Sequence, residues 1–78
     1  MEENFTLEVV ASNYCGVLTR IVTQFSKRGI NIDSIFAKAV KGTEFSRIII
    51  DVCSNQDIKE QIIKQLNKLP DVKKIELI

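Results

Sequence analysis

The sequence predicts an α+β fold whose elements follow one another in the order β-α-β-β-α-β. Three observations support this. The chain has only 78 residues, and 45% of them are apolar. In addition, the spacing of these apolar residues switches between the two-residue period of strands and the period of about 3.6 residues typical of helices. A chain of this length buries only about 60% of its unfolded surface, so we expect one domain, residues 1–78, with a simple core.

The first half of the chain predicts a strand, a helix and a second strand. Apolar residues alternate with polar ones from Phe5 to Ala11, which indicates a half-buried strand. Residues 13–16 break that pattern, and Gly29 marks the end of the amphipathic helix that follows. Its apolar stripe consists of Val17, Leu18, Ile21, Val22 and Phe25. The segment Ile30 to Val40 is rich in Ile and Val and predicts the second strand.

The second half predicts a hairpin partner, another helix and a last strand. Residues 41–42 (Lys-Gly) suit a hairpin turn, and the three isoleucines at 48–50 indicate that the strand Phe45 to Cys53 is central and covered on both faces. Ser54, three residues before Asp57, predicts the start of a helix that Pro70 ends. A short strand follows over residues 72–78. A four-stranded antiparallel sheet with both helices on one face, the ferredoxin-like arrangement, buries these stripes.

Composition excludes several classes of function. The chain has no histidine and only two cysteines, which excludes histidine acid–base chemistry, Cys-His nucleophile pairs and a Cys/His zinc site. A net charge of +1 lacks the basic field of a nucleic-acid-binding protein. The acidic start of the chain, the scarcity of cysteine and the lack of a long apolar run lead us to expect a cytoplasmic protein.

Two short segments are candidates for ligand binding. Gly16 permits a tight turn before the first helix, and the amides of Gly16, Val17 and Leu18 would be among the unpaired N–H groups that bind a carboxylate or a phosphate. A glycine before a helix is also common as plain turn chemistry. Asn31 offers both a donor and an acceptor within an apolar strand, which suits a zwitterion, although it could equally cap the preceding helix.

Gly16 and Asn31 are expected at opposite ends of the domain, because the helix between them is about 20 Å long. The second strand lies at the sheet edge in this topology, and an open edge invites pairing with a second copy. Antiparallel pairing about a two-fold axis would bring Asn31 of one copy near the helix start of the other. This predicts two identical composite sites per dimer.

Arginines provide two further candidates. Arg20 lies one turn after Gly16 and could contact an anion or simply be solvated on the helix surface. Arg47 is expected on the sheet face opposite the helices, together with Ile49 and Phe36, where another protein could cover it.

Three segments resemble ACT domains, the small modules that sense amino acids. The first runs Asn-x-x-Gly-Val-Leu-x-Arg over 13–20, the second Phe-Ser-x-Arg-Gly-x-Asn-Ile-Asp-Ser over 25–34, and the third is Ser-Arg at 46–47. Specifically, the chain resembles the regulatory small subunit of acetohydroxyacid synthase, also called acetolactate synthase, from about Leu7 to Ile75. The resemblance implies a βαββαβ fold, a homodimer formed through the second strand, and a branched-chain amino acid, usually valine, as feedback inhibitor.

By the same resemblance, the effector would contact Asn13, the amides of Gly16, Val17 and Leu18, and Asn31 with Ile32 from the partner chain. The subunit would have no catalytic activity and no cofactor of its own. Thiamine diphosphate, FAD and magnesium would belong to the catalytic large subunit that it activates. Many relatives carry a second C-terminal domain, so this chain resembles a short member or a truncated one.

Other functions on the same topology fit less well. An acylphosphatase would also have a glycine with an arginine four residues later, but its loop signature and its water-positioning asparagine are lacking. An RNA-binding sheet needs stacking aromatic residues on its central strands, for which Phe45 is the only candidate. The main alternative is a stand-alone ACT sensor that regulates a different enzyme of amino-acid metabolism.

Overall fold

The computed structural model describes residues 2–78 and confirms the predicted order of elements. The first strand and helix are β1 (Glu3–Ser12) and α1 (Val17–Lys27). They are followed by the hairpin of β2 (Ile32–Ala39) and β3 (Phe45–Ser54), then by α2 (Gln56–Asn67) and β4 (Val72–Leu77).

The four strands form one antiparallel sheet in the order β2-β3-β1-β4. The central position predicted for β3 and the edge position predicted for β2 are therefore both confirmed. Both helices cover one face of the sheet, and their apolar stripes meet the inward side chains of β1 and β3. The largest fully buried side chains of the core are Leu7, Val9, Ile21, Phe25, Ile48, Ile50, Val52, Ile62 and Leu66.

The other face of the sheet has no covering element among the described residues, and we call it the open face. It carries alternate residues of the central strands, including Glu8, Arg47 and Ile49. Ile49 is only half-buried, so burial on both faces, as predicted for the run 48–50, is not reached within one chain. Neither helix of residues 2–78 is long and apolar enough to cross a membrane.

Several element boundaries differ from the prediction by one or two residues, and two of these differences have a clear local reason. β2 begins at Ile32 rather than Ile30, because the N–H of Ile30 donates to the carbonyl of Phe25 (3.0 Å) and closes the end of α1. The cap of α2 is Asn55 rather than Ser54: the side-chain oxygen of Asn55 accepts the N–H of Ile58 at 2.9 Å. Ser54 instead continues β3.

Candidate ligand-binding site

The start of α1 is built around a glycine. Gly16 is the N-cap and has a φ of +91°, in the left-handed region where a β-carbon is strained. It supplies no side-chain cap, and the first turn contains no acidic residue. The helix therefore presents its positive end without any negative group of its own.

The N–H groups at this helix start differ in whether they have an acceptor. The N–H of Val17 donates to the carbonyl of Tyr14 at 3.2 Å, so the prediction that all three loop amides are unpaired is wrong for Val17. The N–H groups of Gly16, Leu18 and Thr19 have no acceptor among residues 2–78. Converging donors of this kind suit a carboxylate or another small anion.

Asn13 is held beside this helix start by contacts with β3. Its backbone N–H donates to the carbonyl of Glu44 (2.8 Å), and its side-chain Oδ1 accepts the hydroxyl of Ser46 (2.7 Å). Ser46 is only 9% exposed and faces the helices, so its hydroxyl needs a partner. The contact fixes the side chain of Asn13 and leaves its amide nitrogen free of acceptors within residues 2–78, available to a ligand.

A cleft of about 140 Å³ lies between this loop, α1 and the last residues of β2. Its floor is apolar and is formed in part by Val17 and Ile48, while Ala37 and Ala39 leave space because their side chains are small. The complete lining comprises Ser12, Asn13, Tyr14, Val17, Leu18, Ala37, Lys38, Ala39, Ser46 and Ile48. An apolar cavity of roughly 150 Å³ can hold a benzene molecule, so a small aliphatic side chain fits here.

Asn31 and Ile32 lie at the far end of β2 from this cleft. Residues 37–39 line the cleft, whereas Ile32 is the first residue of the strand, and eight residues of strand span about 25 Å. The predicted separation within one chain is therefore confirmed. Asn31 is exposed and does not cap α1, whose end is closed by backbone bonds from Gly29 and Ile30 instead.

The start of β2 is irregular but firmly held. The pairing register with β3 shifts between Ile32 and Ser34, so Asp33 is an extra residue. Asp51 accepts the hydroxyls of Ser34 and Thr6, each at 2.5 Å, and thereby ties β2, β3 and β1 together. The hydrogen bond from Ser34, and after it the one from Thr6, lowers the pKa of Asp51. The stabilising effect of the Asp51 carboxylate is therefore present at neutral pH and is lost as the pH falls through that lowered pKa.

Arg20 does not point freely into solvent. Its Nε and Nη2 donate to one carboxylate oxygen of Asp71, at 2.9 and 2.6 Å, and join the first turn of α1 to the segment before β4. This ion pair was anticipated by neither alternative considered for Arg20, and a contact of Arg20 with a bound anion stays a prediction. The guanidinium still lies beside Gly16, where Nη1 is 3.6 Å from the position that a β-carbon would take.

Sequence reasoning missed most residues of the cleft, and three of them left a signal in the sequence. Ser46 lies two residues before the inward-facing Ile48 of an apolar strand, and this place signals a buried hydroxyl in need of a partner. Ala37 and Ala39 were not singled out. Their small size on alternate positions of β2 is the signal that could have indicated a depression beside α1.

Comparison with known proteins gives a consistent set of matches. Residues 7–74 match the model of the "AHAS small subunit-like ACT domain". The acetolactate synthase small subunit of Mycobacterium avium is 42% identical over 73 residues, which are 94% of this chain and 44% of that protein. The acetolactate synthase isozyme 3 small subunit of Escherichia coli is 38% identical over 69 residues, 88% of this chain and 42% of that protein.

A solved structure extends these matches to the fold. The acetolactate synthase small subunit of Thermotoga maritima superimposes with a TM-score of 0.86 at 31% identity, over 96% of this chain and 47% of that one. The chain thus spans less than half the length of the relatives it matches.

Proposed function

Since the chain belongs to the family of ACT domains found in acetohydroxyacid synthase small subunits, we propose that it is a non-catalytic regulatory module. In this proposal two copies bind a branched-chain amino acid between them, valine in the first place. Occupancy of the site controls a catalytic acetolactate synthase large subunit. The observation that carries the proposal is the start of α1, where unpaired N–H groups adjoin a small apolar cleft.

The free edge of β2 supports a two-chain site. β2 is paired only with β3, so the backbone groups along its other edge are free, and its side chains Ile35 (41% exposed) and Phe36 (62% exposed) are open to solvent on the two faces of the sheet. An uncovered apolar edge strand is a template for pairing with a second chain. A two-fold axis through the middle of β2 would place Ile32 of one copy opposite Ala39 of the other, which lines the cleft.

Each part of a branched-chain amino acid then has a counterpart. The carboxylate fits the N–H groups of Gly16 and Leu18, and the aliphatic side chain fits the cleft floor. The side-chain oxygen of Asn31 from the second copy is a suitable acceptor for the α-ammonium group. Micromolar affinity requires about −8 kcal/mol, which charge-assisted hydrogen bonds together with a buried isopropyl group can supply.

The chemistry of the enzyme is assigned to the large subunit in this proposal. Thiamine diphosphate, FAD and magnesium would be bound there. The residues described here bind and orient the effector and take no part in a reaction step. Regulation would arise because the effector joins two copies and thereby favours one arrangement of the dimer over others.

A complementation experiment tests the two-chain site. Gly16→Ala and Asn31→Ala each damage every site in a homodimer, and we expect each variant alone to bind valine at least about tenfold more weakly by calorimetry. A mixed dimer contains one site with both changes and one site with neither. Random mixing of the two variants should therefore restore wild-type affinity at about one quarter of all sites.

The outcomes separate the parts of the proposal. No recovery on mixing, in a sample shown by mass spectrometry to contain mixed dimers, would place both residues in a single-chain site and contradict the dimer model. Binding of serine or phenylalanine in preference to valine, leucine and isoleucine would favour a sensor for a different enzyme. A strictly monomeric chain in sedimentation would remove the composite site altogether.

A further inference from the structure

We propose that the open face holds the docking site for the catalytic large subunit, through an acidic segment of that subunit that carries an apolar side chain. This inference rests on the proposed function, because it names the surface through which that partner binds. The site, which we call the basic patch, consists of three apolar and three cationic side chains. They are Phe36, Val40 and Ile49 together with Lys38, Lys41 and Arg47.

The apolar part of the basic patch is unusually open to solvent. Phe36 is 62% exposed and Val40 41% exposed, and Phe36 lies opposite Ile49 in the pairing of β2 with β3. A shallow cleft of about 330 Å³ lies between these side chains. Contiguous exposed apolar surface on a small domain indicates a surface that binds another molecule.

The charges around this cleft are all positive. No acidic residue lines it, and neither Lys38 nor Lys41 has an ion-pair partner among residues 2–78. Arg47 is paired with Glu8, so its charge is largely balanced, and the unpaired positive charge of the patch is that of Lys38 and Lys41. By contrast, Lys59 is paired with Glu3. Two lysines without an ion-pair partner therefore lie beside the exposed Phe36.

Charge complementarity selects the occupant. A second copy stacked on the same patch would bring like charges together, which is unfavourable. Single-stranded nucleic acid needs several aromatic stacking platforms, and Phe36 is the one aromatic side chain of the patch. A protein segment with carboxylates on either side of an apolar anchor satisfies both the cations and Phe36.

The patch is compatible with the dimer of the proposed function. Edge pairing of β2 with β2 extends the sheet sideways and leaves its open face uncovered. The effector cleft, in contrast, lies on the helix side, because Val17 and Ile48 form part of its floor. The two sites thus lie mainly on opposite faces of β2, and Lys38 and Ala39 line both clefts, so a ligand that alters β2 pairing can alter the docking face.

The test compares two charge reversals of equal size. Lys41→Glu changes the patch at a residue that does not line the effector cleft, and Lys68→Glu makes the same change on the exposed side of α2. Association of each variant with the catalytic large subunit of the same organism is measured by surface plasmon resonance at several salt concentrations. Sedimentation and thermal melting of each variant, and of Phe36→Ala, establish that folding and dimerisation are intact.

We expect the patch reversal to weaken association at least about tenfold, mainly through a slower on-rate, and to reduce its salt dependence. Phe36→Ala should weaken it through a faster off-rate. The α2 reversal should change it less than about twofold.

Four results would overturn the inference. Equal binding by the patch variants and the wild type would show that the large subunit docks elsewhere, with the proposed function intact. Equal losses in both reversals would indicate a non-specific charge effect. Failure of the wild-type chain to bind the large subunit at all would reject the proposed function as well. Assembly beyond a dimer that is lost only in the patch reversal would assign the patch to a second copy.

Discussion

The two helices of this domain begin at equivalent places in the fold, but their N-terminal ends are capped in different ways. Each follows one of the two central strands, and their lengths are nearly equal, with 11 residues in α1 and 12 in α2. The start of α2 is closed by the chain itself: Asn55 caps the N–H of Ile58, and Asp57 places a negative charge in the first turn. The start of α1 has neither feature and begins with Gly16.

This difference distinguishes the start of α2, which contributes to stability, from the start of α1, which is available for binding. A side-chain cap contributes about 1 kcal/mol, and an acid in the first turn adds a few tenths more. Both contributions are missing from α1, whose unpaired N–H groups adjoin a cleft with an apolar floor. The cleft beside the first turns of α2 is lined by polar and charged side chains instead: Asp57, Glu60, Gln61 and Lys64. The unpaired N–H groups at the start of α1 can therefore be satisfied by a carboxylate from outside the chain.

The largest effect is expected from Gly16→Ala. Alanine is strained at a φ of +91°, so the turn would relax and move the open N–H groups away from the cleft. We expect the unfolding free energy to fall by about 1–2 kcal/mol. Valine affinity should fall at least about tenfold, since charge-assisted hydrogen bonds are lost. Chemical denaturation and calorimetry measure the two quantities.

Gly42→Ala is the matched control for this change. Gly42 lies in the β2–β3 turn with a φ of +81° and open space around its α-carbon, so the backbone strain is similar. It should lower stability by a comparable amount and leave valine affinity unchanged. Equal loss of affinity in both variants would mean that the ligand responds to general stability rather than to the start of α1.

Asn55→Ala should have an intermediate effect that is confined to stability. It removes the bond to the N–H of Ile58, and the unfolding free energy should fall by about 1 kcal/mol. Valine binding should be unaffected, because the start of α2 does not line the cleft. Asn55→Asp keeps an acceptor and should retain the stability. A change in valine affinity for Asn55→Ala would contradict the division of roles between the two helix starts.

Much of the fold could be predicted from the sequence, because burial of apolar residues repeats regularly along each element. Ile21 and Phe25, for example, are both fully buried, as the helical period requires. The boundaries of the helices and strands depend in addition on contacts between elements. Ser54 and Asn55 are both good cap residues, and only pairing of Ser54 with Glu3 in the sheet decides between them.

The candidate site was predicted in part, for a related reason. Gly16 can be recognised from its neighbours in the sequence, since a glycine between a strand and a helix signals a tight turn. The bond between Ser46 and Asn13 joins residues that are far apart in sequence and depends on how β3 lies beside the loop. The same holds for Arg20 and Asp71, whose pairing local spacing could not indicate.

Arg20→Met should have the smallest effect and tests whether the positive end of α1 acts through backbone groups alone. The guanidinium is already engaged by Asp71, and its side chain is half exposed, so its removal should cost less than about 1 kcal/mol of stability. A double-mutant cycle with Asp71→Asn isolates that pair. Valine affinity should change by less than about twofold, because a charge neutralised by Asp71 contributes little to an anion nearby. A loss of valine affinity as large as that of Gly16→Ala would show that Arg20 leaves Asp71 to contact the ligand. The start of α1 would then bind its ligand through a side chain, just as the start of α2 is capped by the side chain of Asn55.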